Sequence, residues 1–566
     1  MAGVTWPSTR LFQCVERSAN CAVLTPALFG FFPPSLTSPF AKGKTMGQMI
    51  VGEIGEFSEN TLHAAKAGTH DLLILRRGAK IFAVDSICPH AGGKLAEGVL
   101  DGDCVICPWH KAAFSIIDGN CTEPPAVDRL GSYPACIADG RVVVTIPDAP
   151  APAAVPHARM DERCFAILGA GAAGFSAAQE LRRSGFSGRI ALISAEAELP
   201  YDRTIQSKYV LAGAEAGEKS PLQDESYFRI AGIERLTRRI AQIDAGAKEI
   251  RFVNGETLGY EAALVALGGT PKRPEMPGAE LPGVFMLRSA TDAARIAQAA
   301  EGAKHVVVMG ESFIGMEAAA ALRQRDLSVT VVGRQSEPFE KQLGAQIGAV
   351  IRKLHEEKGV EFRLGAEVSA FEGRDRVQAV RLRDGALLPA DLVVIGLGIA
   401  PATELLQGIA LNEDGGIPVD RQLRAGDGLF AAGDVAAFPL YGEGAAIRVE
   451  HWRVAEQHGR VAARAMLGLD AAYTQVPYFW TSHFMKRLDY VGHAAGDDEM
   501  VLRGDLAQRQ FIAYYLRNGT VAAAAGMNED QNMAAVLALM GRRKDWTVEA
   551  LHPAGSKPSE ILEKQK

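Results

Sequence analysis

Cys88-Pro89-His90 and Cys107-Pro108-Trp109-His110 are separated by sixteen residues and offer two thiols and two imidazoles in two matched loops. Thiolates suit ferric iron, and imidazoles suit iron as well as zinc. Two thiolates on one iron and two neutral imidazoles on a second give a 2Fe–2S centre less negative than a four-thiolate one, and so of higher potential. A structural zinc site is the competing chemistry, but zinc sites more often use C-x-x-C spacing. Cys104 fits neither pattern and reads as a small buried apolar residue.

Two further segments carry the chemistry of nucleotide binding. Gly169-Ala-Gly171-Ala-Ala-Gly174 falls between an apolar strand and a helix. Its first glycine permits the turn, the second lets the backbone approach a pyrophosphate, and the third lets helix and strand pack closely. The anion then sits at the positive end of the helix. Glu196 follows Gly174 by 22 residues, at the end of the next strand, where a carboxylate can hold a ribose hydroxyl. A second unit, Gly310-Glu-Ser312-Phe-Ile-Gly315, has serine in the middle position. Two such units imply two nucleotides. In the second, Val332 is followed by Gly333 and Arg334 instead of an acid. An arginine there could meet a 2′-phosphate or simply face solvent, so NADH and NADPH stay undecided. Gly428-Leu-Phe-Ala-Ala-Gly433-Asp434 supplies a further acid, and Ala266–Pro271 and Gly396–Pro401 read as a pair of domain-crossing turns.

The C-x-H…C-x-x-H loops resemble those of Rieske proteins, and the whole of residues 49–551 resembles the apoptosis-inducing factor-like oxidoreductases with an N-terminal Rieske domain, relatives of the ferredoxin reductases of bacterial oxygenase systems. The resemblance implies FAD, a Rieske-type 2Fe–2S cluster held by Cys88, His90, Cys107 and His110, and NADH or NADPH as substrate. Without the extra disulfide of respiratory Rieske proteins, a potential of roughly −150 mV is expected. Lys111 stands where the family has glycine, which would put a charge near an exposed histidine ligand. Pro200-Tyr-Asp-Arg203 with Ser207-Lys208 is similar to the family's flavin-side segment. The resemblance gives Lys208 and Glu317 as a pair beside flavin N5, and Phe313 and His451 as aromatic groups around the isoalloxazine and nicotinamide rings. It places Arg203, Asp434, Glu450, Trp452 and Trp480 around the flavin, Asp434 at its ribityl and phosphate region. Plain core packing is the alternative for Phe313, Trp452 and Trp480.

These residues need elements to hold them. From Ile50 to Pro147 the pattern is β-rich, with Leu72–Leu75 and Lys80–Val84 flanking a hairpin at Arg77-Gly78. A Pro/Ala segment, 148–160, reads as a stiff linker. Strand–helix–strand units follow at 164–194 and 305–332, arguing for two doubly wound parallel sheets. The expected order is an extension (1–48), an all-β Rieske domain (49–147), the linker, an FAD-binding domain in two parts (161–279 and 404–472) around an NAD(P)-binding domain (280–403), and a C-terminal α+β domain (473–566). Residues 1–45 contain one acid, Glu16, and many Ser, Thr and Pro. They read as an organelle-targeting segment, a disordered tail, or an extension upstream of initiation at Met46 or Met49.

Composition bounds the rest. The formal charge of −7 gives no footprint for nucleic acid, and no apolar run approaches the ~18 residues that span a bilayer. A cytoplasmic protein is expected, or an organellar one if the first residues are a targeting segment. All eight cysteines lie at or before Cys164, which argues against a disulfide-stapled secreted protein and excludes a flavin–disulfide reductase. Electrons leaving a flavin must then go elsewhere, and the expected path is nicotinamide, flavin, cluster carried on its tether, and an acceptor: a ferredoxin, an oxygenase or a small molecule. The rival reading is a redox-gated interaction protein in which nicotinamide controls dimerisation; a homodimer is left open.

Overall fold

The computed structural model describes residues 47–147, 159–213, 221–496, 498–543 and 545–565. The targeting reading, initiation at Met46 and the linker residues 148–158 lie outside them.

The N-terminal part is all β. Leu62–Ala67, His70–Arg77, Lys80–Asp85 and Ser132–Tyr133 form one antiparallel sheet, and Gly47–Glu53, Arg141–Ile146 and Ala135–Ala138 a second. The expected hairpin pairs Arg77 with Lys80 across a two-residue turn at Gly78. A third sheet, Val99–Asp101, Cys104–Ile106, Ala113–Ser115 and Cys121–Glu123, carries the loop Cys107–His110 between its second and third strands. The alternation of Arg141–Ile146 buries Val142, Val144 and Ile146 beneath Phe57, Leu72 and Ile74, as a half-buried strand should.

Two parallel sheets follow. In the first, Cys164–Leu168 lies between Arg189–Ser194 and Ala262–Val265, with Leu429–Ala431 beyond. In the second, His305–Met309 lies between Ser328–Val332 and Leu392–Ile395. Each first strand thus has neighbours on both sides, and the crevice at its carboxyl end is where doubly wound sheets bind ligands. The two crossing turns do pair: Gly269–Pro271 runs antiparallel to Ile399–Pro401. The C-terminal part is a five-stranded antiparallel sheet from Tyr478–His483 to Thr520–Met527, with helix Asp530–Arg542. Leu488, Tyr490, Phe511 and Tyr515 share a core with Met316 and Phe339 of the second parallel-sheet unit. Val99, Ile106 and Ala113 of the third N-terminal sheet share one with Tyr478, Met533 and Leu537. Among the described residues no helix is long and apolar enough to cross a membrane.

Candidate active site and cluster site

The two ligand loops close on each other. The Nδ1 atoms of His90 and His110 lie 3.1 Å apart, and the Cys88 and Cys107 thiols are hydrogen-bonded to one another. Among the described residues no three His, Cys, Asp or Glu converge on a single ion; these four form a sulfur pair and a nitrogen pair. Both cysteines are buried. Backbone N–H groups of His90 and Ala91 aim at the first sulfur, those of Trp109 and His110 at the second. The bond from the Cys88 thiol, with the backbone donors, brings Cys107 below the ordinary thiol range, while that shared proton and burial push Cys88 up. Burial holds both imidazoles below their ordinary range, hence neutral and able to ligate. The donor set fits a two-iron cluster with unlike ends.

The histidine end faces inward. The His110 ring lies 4.5 Å from Trp480 and the His90 ring 6.1 Å, and His90 Nε2 is 3.9 Å from Asp202 of the Pro200–Arg203 segment. Lys111 does not lie near solvent as its position suggested. Its side chain is fully buried and its Nζ meets Asp489 at 2.6 Å, because the loop is packed under the C-terminal sheet. The cluster domain is therefore docked rather than simply tethered. Cys104 is half-buried, 3.6 Å from the Thr122 hydroxyl, so it is less enclosed than expected.

The first glycine loop has the tight packing its spacing predicted. A Cβ on Gly169 would lie 2.2 Å from the Ala266 carbonyl oxygen, and one on Gly174 would lie 1.8 Å from the Gly169 carbonyl oxygen. Gly171 caps helix Ala172–Arg183 with no side-chain acceptor, leaving the first N–H groups to a ligand, and its α-carbon faces open space save for Arg203. Glu196 accepts hydrogen bonds from Tyr201 and Arg203. Asp434 meets Arg288 at 2.9 Å, and Arg448 bonds both the Asp434 carbonyl and Glu450. Arg203 also donates to the Arg288 carbonyl, so hydrogen bonds and ion pairs link Glu196, Arg203, Arg288 and Asp434.

In the second loop, Gly310 and Gly315 pack as their counterparts do, and Ser312 takes on a capping role. Its hydroxyl donates to the Gly396 carbonyl at 2.7 Å and accepts from Gly315 N–H. Arg334 is exposed. The carboxylate at the strand end comes from Glu311: a Cβ on Gly333 would lie 2.4 Å from its Oε2, and its Oε1 accepts from Gln335 N–H.

Lys208 and Glu317 meet at 2.9 Å. Lys208 and Ser207 share a π-helical turn, Gln206–Val210, and Ser207 also reaches Glu317, at 2.5 Å. Thr481 holds the other Glu317 oxygen at 2.7 Å and lies 3.0 Å from His483 Nε2. Phe313 stacks on Phe339 and touches Phe479, which packs on His451 at 4.3 Å. Burial takes His451 down to about 3, so its ring is neutral. Trp452 opens the helix Trp452–Met466 and bonds Glu456 one turn on. Glu311, Phe339 and Thr481 stand out only in three dimensions, whereas Glu456 had a sequence signal, its place one helical turn after Trp452.

Burial, aided by Asp202, raises Glu456 to about 8 against opposition from Arg460, Arg453 and the Trp452 bond. From the ordinary carboxyl value up to that point the native state holds a proton the unfolded chain lacks, so stability falls as pH rises through this window. Glu456→Gln should raise the unfolding free energy at pH 8 by about 4 kcal/mol and change it little at pH 4. Equal effects in denaturant titrations at the two pH values would contradict this.

Three family models match the chain: Pyridine nucleotide-disulphide oxidoreductase over residues 164–459, Rieske [2Fe-2S] domain over 47–134, and Reductase C-terminal over 478–556. With the two glycine loops and the paired ligand loops, they define an FAD- and NAD(P)H-dependent oxidoreductase with a Rieske 2Fe–2S domain, and the chain belongs to the pyridine nucleotide-disulphide oxidoreductase family. It has no cysteine after Cys164, so the disulphide of the family name has no counterpart here. Apoptosis-inducing factor 3 of Homo sapiens is 34% identical over 514 residues, 88% of this chain and 84% of the relative. The biphenyl dioxygenase system ferredoxin–NAD(+) reductase component of Paraburkholderia xenovorans is 34% identical over 70% of this chain and 98% of its own length. The solved ferredoxin reductase for the CYP199A2 system of Rhodopseudomonas palustris is 31% identical with a TM-score of 0.66, matching 71% of this chain and all of that one.

Proposed function

We propose that the chain passes electrons from NADH through FAD into its own cluster and on to an acceptor, such as an oxygenase or a ferredoxin. The observation that carries this reading is the contact of the His90 and His110 rings with Trp480 and Asp202, between the cluster loops and the flavin cleft. A flavin held beside Lys208 and Glu317 would supply hydride acceptance from a nicotinamide, and a 2Fe–2S cluster held by Cys88, His90, Cys107 and His110 would supply one-electron acceptance. The glycine loops hold the pyrophosphates, Asp434 and Glu450 orient the flavin's polar chain, and Phe313, His451 and Trp452 exclude water around its ring. Glu311 supports NADH over NADPH, since a carboxylate accepts from a 2′-hydroxyl and repels a 2′-phosphate.

Anaerobic stopped-flow mixing with NADH, then NADPH, tests the reading. Flavin bleaching followed by loss of the cluster's absorbance, faster with NADH, is expected. Bleaching with the cluster left oxidised would break the internal path and favour the interaction-protein reading. Lys208 sets the charge beside the flavin and keeps Glu317 paired. Lys208→Ala should slow flavin reduction by about tenfold or more, and an unchanged rate would remove that role.

A further inference from the structure

Lys111 follows a cluster ligand directly and has a left-handed backbone, φ 61°, a conformation that any side chain but glycine's makes strained. Its side chain shows what holds it there. It crosses from the cluster domain into the C-terminal domain, where Nζ donates to Asp489 at 2.6 Å and, more weakly, to the Asp530 carbonyl at 3.3 Å. It also folds back to the Pro108 carbonyl at 2.5 Å. Asp489 is itself held by the Tyr478 hydroxyl and Arg487, both at 2.9 Å, and Arg487 reaches the Pro108 carbonyl. From the other side Arg453 donates to the Lys111 and Pro124 carbonyls, and Gln457 to Glu123. The second ligand loop is thus gripped between the C-terminal sheet and the Trp452–Met466 helix. The first is not: Ile87, Pro89, Ala91 and Gly92 are exposed.

We propose that Lys111 is a positioning residue, a latch whose buried pair with Asp489 holds the cluster domain with its histidines against Trp480. The cluster is then a fixed relay within the molecule, not a carrier that swings on the 148–158 segment. Losing Asp489 leaves the buried Lys111 ammonium with carbonyl partners alone, whereas losing Lys111 leaves Asp489 paired with Arg487 but removes the ion pair that joins the two domains; either loss shifts the domain toward an undocked state. The inference rests on the electron path proposed above only for its kinetic readout.

The test uses the full-length holoprotein with two variants, one on each side of the contact. Lys111→Gly removes the latch while suiting the left-handed turn, and Asp489→Asn leaves the cluster domain untouched. In both, flavin reduction by NADH should keep its rate, the EPR signal of the dithionite-reduced cluster should be unchanged, and electron passage from flavin to cluster should slow by about tenfold or more. Backbone amides of residues 107–112 and 486–491 should exchange hydrogen faster. Should Lys111→Gly lose its cluster, Asp489→Asn decides. Wild-type transfer rates with unaltered exchange in Asp489→Asn would overturn the latch. If the wild-type cluster accepts no electrons from flavin, the functional reading fails, and the latch then stands or falls on hydrogen exchange alone.

Discussion

Cys107→Ser should yield a protein that keeps its FAD and is still bleached by NADH but has lost the cluster's visible absorbance and EPR signal. Cys107 is 1% exposed, so no second ligand can reach the vacated position from solvent. A serine hydroxyl stays protonated where a thiol ionises, and a hard oxygen is a poor substitute for a soft thiolate. The flavin cleft is formed by other elements, so its cofactor content should not change. Electron delivery to a one-electron protein acceptor should fall by about a hundredfold or more, while a two-electron dye that contacts the flavin should still be reduced. Retention of the EPR signal would remove Cys107 from the ligand set.

The second large effect is expected at Gly174. Its α-carbon lies against the Gly169 carbonyl so closely that a Cβ would stand 1.8 Å from that oxygen and 3.1 Å from Ile167. The nearer obstacle is backbone, the Gly169 carbonyl of the strand–helix turn, and cannot rotate away. Gly174→Val must therefore push the helix off the sheet, which also disturbs its contact with the Trp452–Met466 helix, where a Cβ on Gly459 would lie 2.1 Å from the Ala173 carbonyl oxygen. A loss of more than about 4 kcal/mol is expected, seen as flavin-free or insoluble protein. A variant purifying with full FAD content and a normal melting temperature would show that this turn yields more than its packing implies.

How much of the site is legible in the sequence follows from how local each signal is. The ligand loops and the glycine turns are short segments whose chemistry is set by residue type and spacing, so Cys88, His90, Cys107, His110 and both nucleotide units follow from the sequence alone. The Lys208–Glu317 pair spans 109 positions and rests on family resemblance; the fold brings the two within 2.9 Å. Lys111 misleads because its partner lies 378 residues away, and nothing near position 111 signals a domain contact. Glu311 escapes sequence reading for a related reason. The ribose-side acid is expected at the end of the Ser328–Val332 strand, whereas the carboxylate arrives from the neighbouring turn. Ser312 looks like a tolerated substitute for glycine; its hydroxyl's bond depends on the Gly396 carbonyl, just past the strand Leu392–Ile395.

The buried grip on the second ligand loop also bears on how the electron transfer should respond to solution conditions. When a reductase and its ferredoxin are separate molecules, their meeting depends on concentration and on charged surfaces that salt screens over about 8–10 Å. Here the contact is made within one chain, and the ion pair at its centre is shielded from mobile ions. The first electron passed from flavin to cluster should therefore proceed at the same rate on hundredfold dilution and from low to high ionic strength. Only delivery to the next protein should feel either variable, so salt and dilution separate the inner half of the pathway from the outer.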